Sequence, residues 1–251
     1  VQMFKTRKYL KKLFDLEIDI FDIVNTKIAD YEIVHFFGSE YVLYPIVDAA
    51  KRLHKKVVVS PIFFDTKNPL FYKGAINICQ KLPFRSSVLD RFDIFNLSDF
   101  ILPNSKIELN YIVKSFKVSP QKMRVVYNGI DEEKINKMLE NITFQDEQEI
   151  KKEFNIETPY FLYVARFDNR KNQLNLIKAF NKLNRIENKV SLVLIGSPNL
   201  DSIDYYNMCK KEAEKSKGRI VFVPALKHND KKLWVFYKYA FAHIMPSLYE
   251  T

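Results

Sequence analysis

Residues 161–180 read FLYVARFDNRKNQLNLIKAF, and the rest of the chain follows the pattern of this segment. The segment opens with a continuous apolar run, continues with a loop that carries Arg166, Arg170 and Lys171, and ends with Leu176 and Phe180 at helical spacing. A strand, a loop and a helix in this order form the repeating unit of parallel α/β sheets. The segment therefore predicts a fold of the α/β class.

The same alternation extends outward from this segment in both directions. In the first half, strands are predicted over residues 18–23, 32–36, 56–60, 100–102 and 123–127, and helices over 44–54 and 106–116. In the second half, strands are predicted over residues 160–165, 190–196, 219–223 and 240–245, and a helix over 172–184. Continuously apolar strands are typical of a parallel sheet that is covered on both faces. The pattern predicts an α/β fold of two Rossmann-like, doubly wound parallel-sheet domains that face each other across a cleft.

The boundary between the two domains is predicted from composition. Residues 131–148 are polar and acidic, and they follow the turn signal Asn128-Gly129, so this stretch is expected to be a linker. It divides the chain into domains 1–148 and 149–251. The chain does not open with methionine and stops directly behind an apolar run, so we expect further residues at both ends.

The composition excludes several classes of protein. With 47% hydrophobic and 28% charged residues, the chain is neither disordered nor collagen-like. Its five glycines cannot form a glycine-rich nucleotide motif, so side chains must hold any bound phosphate. The four histidines and two cysteines show no metal-binding spacing, so no metal and no cofactor is predicted. Without an apolar run of ~20 residues or a signal peptide, a cytoplasmic protein is expected.

The net charge of +10 indicates an anionic partner. The opening segment predicts a basic amphipathic helix, which fits either a solvated helix packed on the sheet or contact with an anionic membrane surface. Its two faces carry Lys5, Lys8 and Lys12, and Met3, Leu10 and Phe14, respectively. Residues 205–238 hold nine Lys or Arg against three Asp or Glu and form a second candidate contact surface. Nucleic acid is disfavoured as a partner because no motif that binds it is present.

A candidate site follows from the topology of parallel sheets. Their ligands bind beyond the carboxyl ends of the strands, where loops and helix N-termini gather. In the second half this rule selects residues 166–171, 196–198 and 246–250. The first loop is the most informative, because Arg166 and Lys171 stand at the start of a helix whose dipole favours an anion. A solvated surface loop explains the same cations, so both interpretations stay open at this point.

Several motifs resemble one known family. Ala165, Arg166, Lys171 and Asn172 fit the pattern G/A-R-x4-K-[GN] of the retaining glycosyltransferases of family 4, the group 1 glycosyltransferases of GT-B fold. Further similar segments follow in the family's order: residues 97–131, which include Asn104-Ser105 and Asn128-Gly129-Ile130-Asp131, residues 190–196, and residues 245–250. The last segment matches the opening of the family signature P-S-x-x-E-x7-E. The ordered set spans nearly the whole chain and is more specific than any one member.

The resemblance implies that the second domain binds a nucleotide sugar. Arg166 and Lys171 would bind the donor diphosphate and neutralise the leaving nucleotide. Glu250 would be the first glutamate of E-x7-E, which in the family faces the donor sugar, and a second glutamate is expected eight positions further on. The remaining implied donor-binding residues are Asn172, Gly196, Ser197, Pro246 and Ser247.

The resemblance also implies that the first domain binds the acceptor. The residues implied on this side are His35, Phe37, Gly38, Ser60, Asn104 and Asn128. Many relatives carry a histidine where this chain has Ser60-Pro61, so acceptor chemistry assigned to that histidine is not expected here. The family's first strand lies upstream of the helix that begins near Val1, so this strand is expected to be missing from the chain.

The resulting prediction is a glycosyltransferase of the hexosyltransferase type. It would move a sugar from a nucleotide sugar to a glycan or lipid-linked acceptor with retention of configuration, without a metal ion, in cell-surface polysaccharide synthesis. It would be cytoplasmic or peripheral at the inner face of the cell membrane, and inactive if residues outside the chain complete the site. Two alternatives stay open: a sugar-nucleotide epimerase or phosphorylase of the same fold, and a non-catalytic basic binding module.

Overall fold

In the computed structural model, which describes residues 2–183 and 190–249, the chain divides after Gly129 into two units. Each unit is built around a parallel sheet with helices and has hydrophobic core clusters of its own. The α/β class and the parallel sheets predicted from the sequence are confirmed.

The first unit contains three parallel strands in the order β1-β2-β3. The strands are β1 (Ile33–Phe37), β2 (Lys56–Ser60) and β3 (Phe100–Ile101), and the helices are α1 (Gln2–Leu13), α2 (Tyr44–Arg52), α3 (Pro69–Cys79), α4 (Ser87–Leu97) and α5 (Lys106–Phe116). The central strand places Val57 and Val59 fully in the core. Asn68, Ser86 and Ser105 begin α3, α4 and α5 with side-chain oxygens that accept backbone N–H groups.

Two predicted strands of the first half are absent from the described sheet. Residues 18–23 are not paired with any described strand, and the Asp22 carboxylate instead accepts the Val24 backbone N–H in a local turn. Residues 123–127 form only one parallel bridge, between Met123 and Ile101. The N–H groups of Arg124 and Val126 donate to the Ile101 and Pro103 carbonyls at 3.0 and 2.9 Å, so this stretch runs beside β3 without forming a regular strand. Residues 18–23 have no partner strand among the described residues, and a strand needs one for its backbone groups.

Over residues 130–183 and 190–249, the second unit contains four parallel strands in the order β6-β5-β4-β7. The strands are β4 (Tyr160–Val164), β5 (Ser191–Ile195), β6 (Ile220–Val223) and β7 (Ala242–His243), and the helices are α6 (Glu132–Glu140), α7 (Phe144–Glu153), α8 (Gln173–Leu183), α9 (Ile203–Ala213) and α10 (Lys231–Tyr239). All five residues of β5 are buried, as expected for a parallel strand covered on both faces. On α8, Leu176 and Phe180 are buried, whereas Leu183, seven residues after Leu176 on the same face, is exposed.

The predicted linker is part of the second unit. Residues 131–148 form α6 and the first half of α7. Thr143 and Asp146 make reciprocal capping hydrogen bonds at the start of α7, and Ile142 and Ile150 are buried in the core of this unit. The Asp146 carboxylate also pairs with Lys231 of α10 at 2.7 Å. The division of the chain therefore falls after Gly129 rather than after residue 148, because a few well-spaced apolar side chains anchor an otherwise polar stretch.

The order of the strands creates a topological switch point in the second unit. Strand β4 comes first along the chain, β5 and β6 lie to one side of it, and β7 returns to its other side. In such sheets the loops after the strands that flank the reversal diverge and leave room for a ligand. The loops that begin at Ala165 and at Ile244 follow the two strands at this reversal, so a ligand is expected beside them.

Gly196, directly after β5, allows two strand ends to approach each other closely. A Cβ atom at this position would lie 2.8 Å from the carbonyl carbon of Ala165 and closer still to its oxygen. The family resemblance implies that this glycine is a donor-binding residue. In the structure, the immediate neighbour of its missing side chain is the backbone that carries Arg166.

We predict that Gly196→Ala destabilises the second unit by roughly 1–3 kcal/mol, because the added methyl group forces the Ala165 backbone to move. Urea unfolding followed by far-ultraviolet circular dichroism measures the effect. Gly74→Ala is the matched control, since a Cβ atom there meets nothing within 4 Å and alanine favours the helix by up to about 1 kcal/mol. Equal unfolding curves for Gly196→Ala and Gly74→Ala would contradict the close approach of Gly196 to the Ala165 backbone.

Candidate functional site

The candidate donor site begins with the loop after β4. Asp168 has extended backbone, and its Oδ1 accepts the backbone N–H groups of Arg170 at 2.8 Å and Lys171 at 3.2 Å, which starts a short 3-10 turn over Asn169–Lys171. The turn ends at Asn172, whose backbone is left-handed with φ of 62°. Helix α8 follows at once, so the cations of the loop stand at its N-terminus.

Asp168 also controls the two arginines of the loop. Its Oδ2 accepts a hydrogen bond from Arg166 Nη2 at 3.1 Å and lies 3.9 Å from Arg170 Nη2. Partial burial opposes ionisation of the carboxyl, but the Arg166 hydrogen bond and the two backbone N–H groups outweigh it and lower the pKa of Asp168. The Arg166 side chain is 48% exposed, so most of its five N–H donors remain available to an anion.

The loop after β7 is joined to this turn by two direct hydrogen bonds and by the hydroxyl of Tyr163, in β4, which contacts both. Asn172 Nδ2 donates to the Pro246 carbonyl at 2.9 Å, and the Leu248 N–H donates to the Arg170 carbonyl at 2.9 Å. The Tyr163 hydroxyl donates to the Lys171 carbonyl at 2.9 Å and lies 3.0 Å from Ser247 Oγ. Because the single phenolic hydrogen is used for Lys171, Ser247 must be the donor in the second contact.

The structure therefore brings most of the predicted donor-binding residues together. Arg166, Lys171, Asn172, Pro246 and Ser247 lie in two loops that are hydrogen-bonded to each other. Glu250, which was predicted together with Arg166 and Lys171 as a catalytic residue, lies outside the described residues.

Ser197, in the loop after β5, connects the loop after β4 to the loop after β6. Its carbonyl accepts the Phe167 N–H at 3.2 Å, and its hydroxyl accepts the Ala225 N–H, in the loop after β6, at 3.1 Å. The preceding Gly196 donates its N–H to Val223 at 2.9 Å. These contacts hold the loops after β4, β5 and β6 side by side.

Three residues that sequence reasoning did not select hold the site together. Asp168 caps the turn, and the hydroxyl of Tyr163, in β4, contacts both loops. The fully buried Gln173 donates from Nε2 to the Arg166 carbonyl at 2.9 Å. An aspartate directly before a 3-10 turn is a recognisable capping signal. Tyr163 carries no such signal, because a tyrosine inside an apolar run looks like any core residue.

On the first unit, four predicted acceptor-side residues lie at the carboxyl ends of β1 and β2. His35 Nε2 lies 3.0 Å from Ser60 Oγ, and the His35 ring stacks on Phe37 with centroids 4.2 Å apart. The Gly38 N–H donates to the Ser60 carbonyl at 2.8 Å, in a left-handed conformation with φ of 114°. Burial lowers the pKa of His35 to about 4, so the ring is neutral at physiological pH.

The loop after β3 is held by a buried carboxylate that the sequence analysis missed. Glu108 is only 1% exposed, and its two oxygens accept the N–H groups of Asn104 and Phe63, each at 2.6 Å. Burial raises the pKa of Glu108, and the two hydrogen bonds to the carboxylate oppose that shift. Asn104 is thereby fixed at the same edge of the sheet.

Asn128 is the one acceptor-side prediction that is not placed with the others. It lies exposed in the irregular segment that closes the first unit. No hydrogen bond described for residues 2–183 and 190–249 joins it to His35 or Ser60. The backbone pairing of this segment with the chain at β3 ends at Val126, whose N–H donates to the Pro103 carbonyl at 2.9 Å, so Asn128 lies beyond the paired part.

Solved structures show the same fold. The chain aligns with the crystal structure of Anabaena HepE in complex with UDP, with a TM-score of 0.63, 15% identity, and coverage of 88% of this chain and 54% of that one. It also aligns with a UDP-forming α,α-trehalose-phosphate synthase from Burkholderia xenovorans, with a TM-score of 0.63, 15% identity, and coverage of 87% and 53%. The two Rossmann-like parallel-sheet units thus define the chain as a protein of the GT-B fold class.

Family models cover both units. Residues 3–134 match the model described as Glycosyltransferase Family 4, and residues 144–251 match Glycosyl transferases group 1. The first match covers more than half of the chain, and the chain belongs to Glycosyltransferase Family 4.

One curated relative is similar in sequence. It is the N-acetylgalactosamine-N,N'-diacetylbacillosaminyl-diphospho-undecaprenol 4-alpha-N-acetylgalactosaminyltransferase of Campylobacter jejuni, which is 36% identical over 115 residues. The alignment covers 44% of this chain and 27% of that protein. The chain also spans only about half the length of the solved structures named above.

Two features are absent from the part of the chain that the structure describes. Among residues 2–183 and 190–249, none of the helices has both the length and the apolar composition that a bilayer crossing requires. In the same part of the chain, no three His, Cys, Asp or Glu residues are grouped as metal ligands would be. The predictions of a metal-independent and cytoplasmic protein stay predictions.

We predict that Asp168→Ala lowers the free energy of unfolding of the second unit by about 1 kcal/mol, because the turn loses its cap. Asp168→Asn should lose less, since an amide oxygen still accepts one N–H group. The lowered pKa means that the charged carboxylate stabilises the fold above pH 3.8, and that this contribution disappears as the pH falls through the folded-state value. Unfolding followed by the fluorescence of Trp234, in α10, reports on this unit.

The matched control for Asp168 is Glu157→Ala, which removes an exposed carboxylate from the same unit. Its unfolding curve is expected to stay within about 0.5 kcal/mol of the parent. If both alanine variants behave alike, Asp168 does not organise the loop.

A second prediction concerns the acid sensitivity of the first unit. The folded state keeps His35 neutral down to about pH 4, whereas the unfolded chain takes up the proton near pH 6.5. The stability contributed by the neutral ring is therefore complete above pH 6.5 and is lost as the pH falls toward 4. His35→Gln should flatten this dependence in unfolding curves followed by circular dichroism. An unchanged slope, or the same flattening in the exposed control His228→Gln, would refute the assignment.

Proposed function

We propose that the chain carries the donor and acceptor sites of a glycosyltransferase that moves a sugar from a nucleoside-diphosphate sugar to a glycan or lipid-linked acceptor. The observation that carries this proposal is the position of Arg166 and Lys171. They stand at the N-terminus of α8, beside the switch point of the second sheet, in a loop tied to residues 246–249. Membership of Glycosyltransferase Family 4 supports the same assignment.

The proposed chemistry is the stabilisation of the leaving group. Cleavage of the bond between the sugar and the diphosphate builds negative charge on the departing nucleotide. Cations aimed at that charge lower the barrier, because the interaction is stronger in the transition state than in the ground state. Arg166 supplies a planar fork of donors and Lys171 a point charge, while the N-terminus of α8 adds its dipole. With this positive charge in place, the proposed reaction needs no metal ion.

The proposal extends to the acceptor and to the stereochemistry. The first unit would bind the acceptor at the edge that holds His35, Ser60 and Asn104. Retention of configuration, a hexose as the transferred group and a role in cell-surface polysaccharide synthesis follow from the family resemblance. The relative from C. jejuni acts, by its name, on a diphospho-undecaprenol-linked sugar, which makes a lipid-linked acceptor a suitable first class to assay. Transfer of the sugar only when an acceptor is added would distinguish glycosyl transfer from epimerisation, which needs no acceptor.

We predict that Arg166→Ala and Lys171→Ala each weaken the binding of UDP or GDP by roughly ten- to a hundredfold. Each variant removes a charge-assisted contact to the diphosphate, and such contacts contribute ~1.5–3 kcal/mol. Isothermal titration calorimetry with both nucleotides measures the loss and also identifies the preferred base.

Lys178→Ala is the matched control for this titration. Lys178 is an exposed cation on α8, two turns from the proposed site, and its removal changes the net charge equally. If all three variants bind the nucleotide as the parent does, or if Lys178→Ala weakens it as much as the others, the donor site lies elsewhere.

A further inference from the structure

A buried carboxylate of the first unit is held by backbone groups and not by a cation. Glu108, in α5, is 1% exposed, and its Oε1 and Oε2 accept the N–H groups of Phe63 and Asn104, each at 2.6 Å. Among the ion pairs within residues 2–183 and 190–249, none involves Glu108. Burial of a charge is costly unless strong hydrogen bonds compensate it, so the ionised side chain depends on both bonds.

The position of Glu108 in its helix indicates a different role from the one the structure shows. Ser105 and Glu108 are the first and fourth residues of the pattern S-x-x-E, in which the glutamate usually accepts the backbone N–H of the serine. Ser105 Oγ accepts the Glu108 N–H at 3.1 Å, as this pattern requires. The hydrogen bonds described for the carboxylate lead instead to Asn104, in the loop after β3, and to Phe63, in the loop after β2. Glu108 therefore connects two loops of the sheet edge.

The residue before Phe63 has a strained backbone. Ile62 has a φ of 46°, in the left-handed region that a β-branched side chain disfavours. Such a conformation persists only where the surrounding structure imposes it. Contacts on both sides impose it here, because the Pro61 carbonyl accepts a hydrogen bond from Ser39 Oγ at 3.4 Å and the Phe63 N–H donates to Glu108.

The side chain of Phe63 is enclosed as well. Its ring is 8% exposed and packs edge-on against Tyr72 and Phe116, with centroids 6.0 and 5.7 Å apart. The Arg91 guanidinium lies 4.5 Å from the centre of the same ring, and Arg91 Nε donates to the Ser39 carbonyl at 3.0 Å. The loop after β2 is thus anchored directly behind the strained residue.

The strained residue stands at the edge that is proposed to bind the acceptor. Ile62 follows Ser60 by two residues, and Ser60 Oγ lies 3.0 Å from His35 Nε2. The side chain of Ile62 is 42% exposed, so core packing does not account for its conformation. Backbone strain that persists in a folded protein is concentrated at binding and catalytic sites. The strain therefore indicates that the shape of this loop serves binding.

We infer that Glu108 is a positioning residue for the acceptor. Its carboxylate fixes the loops after β2 and β3 to each other and keeps Ile62 in the left-handed conformation. The buried side chain does not touch the acceptor and acts through the backbone of Phe63 and Asn104. Displacement of a binding edge by about 1 Å is enough to weaken a site strongly. The inference rests on the proposed function, which assigns the acceptor to this edge.

Titration calorimetry of the whole chain with an acceptor probe tests the inference. The probe is N-acetylgalactosaminyl diphosphofarnesol, a short-chain member of the lipid-linked class proposed above. Glu108→Ala removes both carboxylate oxygens and should weaken binding of the probe by roughly tenfold or more. Glu108→Gln keeps one accepting oxygen and should lose less. Both variants should bind UDP as the parent does, because the proposed donor site lies in the second unit.

The backbone of Ile62 provides a readout that is independent of any ligand. The three-bond coupling between its HN and Hα reports φ and is measured by nuclear magnetic resonance on isotopically labelled protein. Glu108→Ala should change this coupling, because Ile62 leaves the strained region once the Phe63 N–H is released.

A compensating substitution keeps the test decisive if Glu108→Ala folds poorly. Asparagine adopts the left-handed conformation more readily than isoleucine. Ile62→Asn alone should bind the probe within about twofold of the parent. In combination with Glu108→Ala, it should recover most of the lost affinity.

Asp99→Ala is the matched control in the same unit. Asp99 also accepts a backbone N–H, that of Val57 at 2.9 Å, and it pairs with Lys51 at 2.7 Å. It precedes β3 and therefore lies at the opposite edge of the sheet from the loops that Glu108 connects. Its removal should lower the midpoint of urea unfolding but leave both the affinity for the probe and the coupling of Ile62 unchanged.

Several results would overturn the inference. They are equal binding of the probe by Glu108→Ala and the parent, an equal loss in Asp99→Ala, an unchanged coupling of Ile62, and no recovery in the double variant. Failure of the parent to bind the probe would also overturn it, whereas UDP binding that is lost in Arg166→Ala would leave the proposed donor site intact. Binding of the probe without binding of UDP would refute the donor site and leave the role of Glu108 standing.

Discussion

The position of β4 between β5 and β7 is the constraint on which the second unit depends. Because all three strands are parallel, their carboxyl ends share one edge, and the chain reverses its direction of sheet growth at β4. The loop with Arg166 and Lys171 must then lie between the loops that begin at Gly196 and at Ile244. Tyr163, inside β4, reaches both its own loop and Ser247. Tyr163, a buried strand residue, thereby holds the two polar loops at the edge of the sheet in place.

Much of this fold could be predicted from the sequence, and the failures have physical causes. Continuous apolar runs identified β2, β4, β5 and β6, because a strand covered on both faces has no polar alternation to obscure it. Residues 18–23 have no partner strand among the described residues, and residues 123–127 pair with the chain at β3 only through hydrogen bonds to the Ile101 and Pro103 carbonyls, so composition does not report the extent of pairing. The acidic stretch 131–148 looked like a linker because its few apolar residues are separated by charges. Helical spacing of Ile135, Met138, Leu139 and Ile142 was the signal that would have corrected it.

The candidate site likewise consists of residues that could be predicted from the sequence and residues that could not. Its cations and glycines could be selected from motifs, since their chemistry is visible in the residue type. The residues that position them could not, because Tyr163, Gln173 and Glu108 act through backbone carbonyls and N–H groups that only the folded chain brings near. The structure also explains one degenerate position of the family pattern. Residue 172 has a left-handed backbone, which glycine and asparagine adopt more readily than other residues, and the pattern accepts these two.

The asparagine at this position has a consequence that glycine would not have. Its amide holds the Pro246 carbonyl, and together with the hydrogen bond from Leu248 to Arg170 it orders the loop after β7 before any ligand arrives. The conformational entropy of that loop is then lost during folding instead of during binding. A nucleotide that enters such a preorganised site retains more of its interaction energy as affinity.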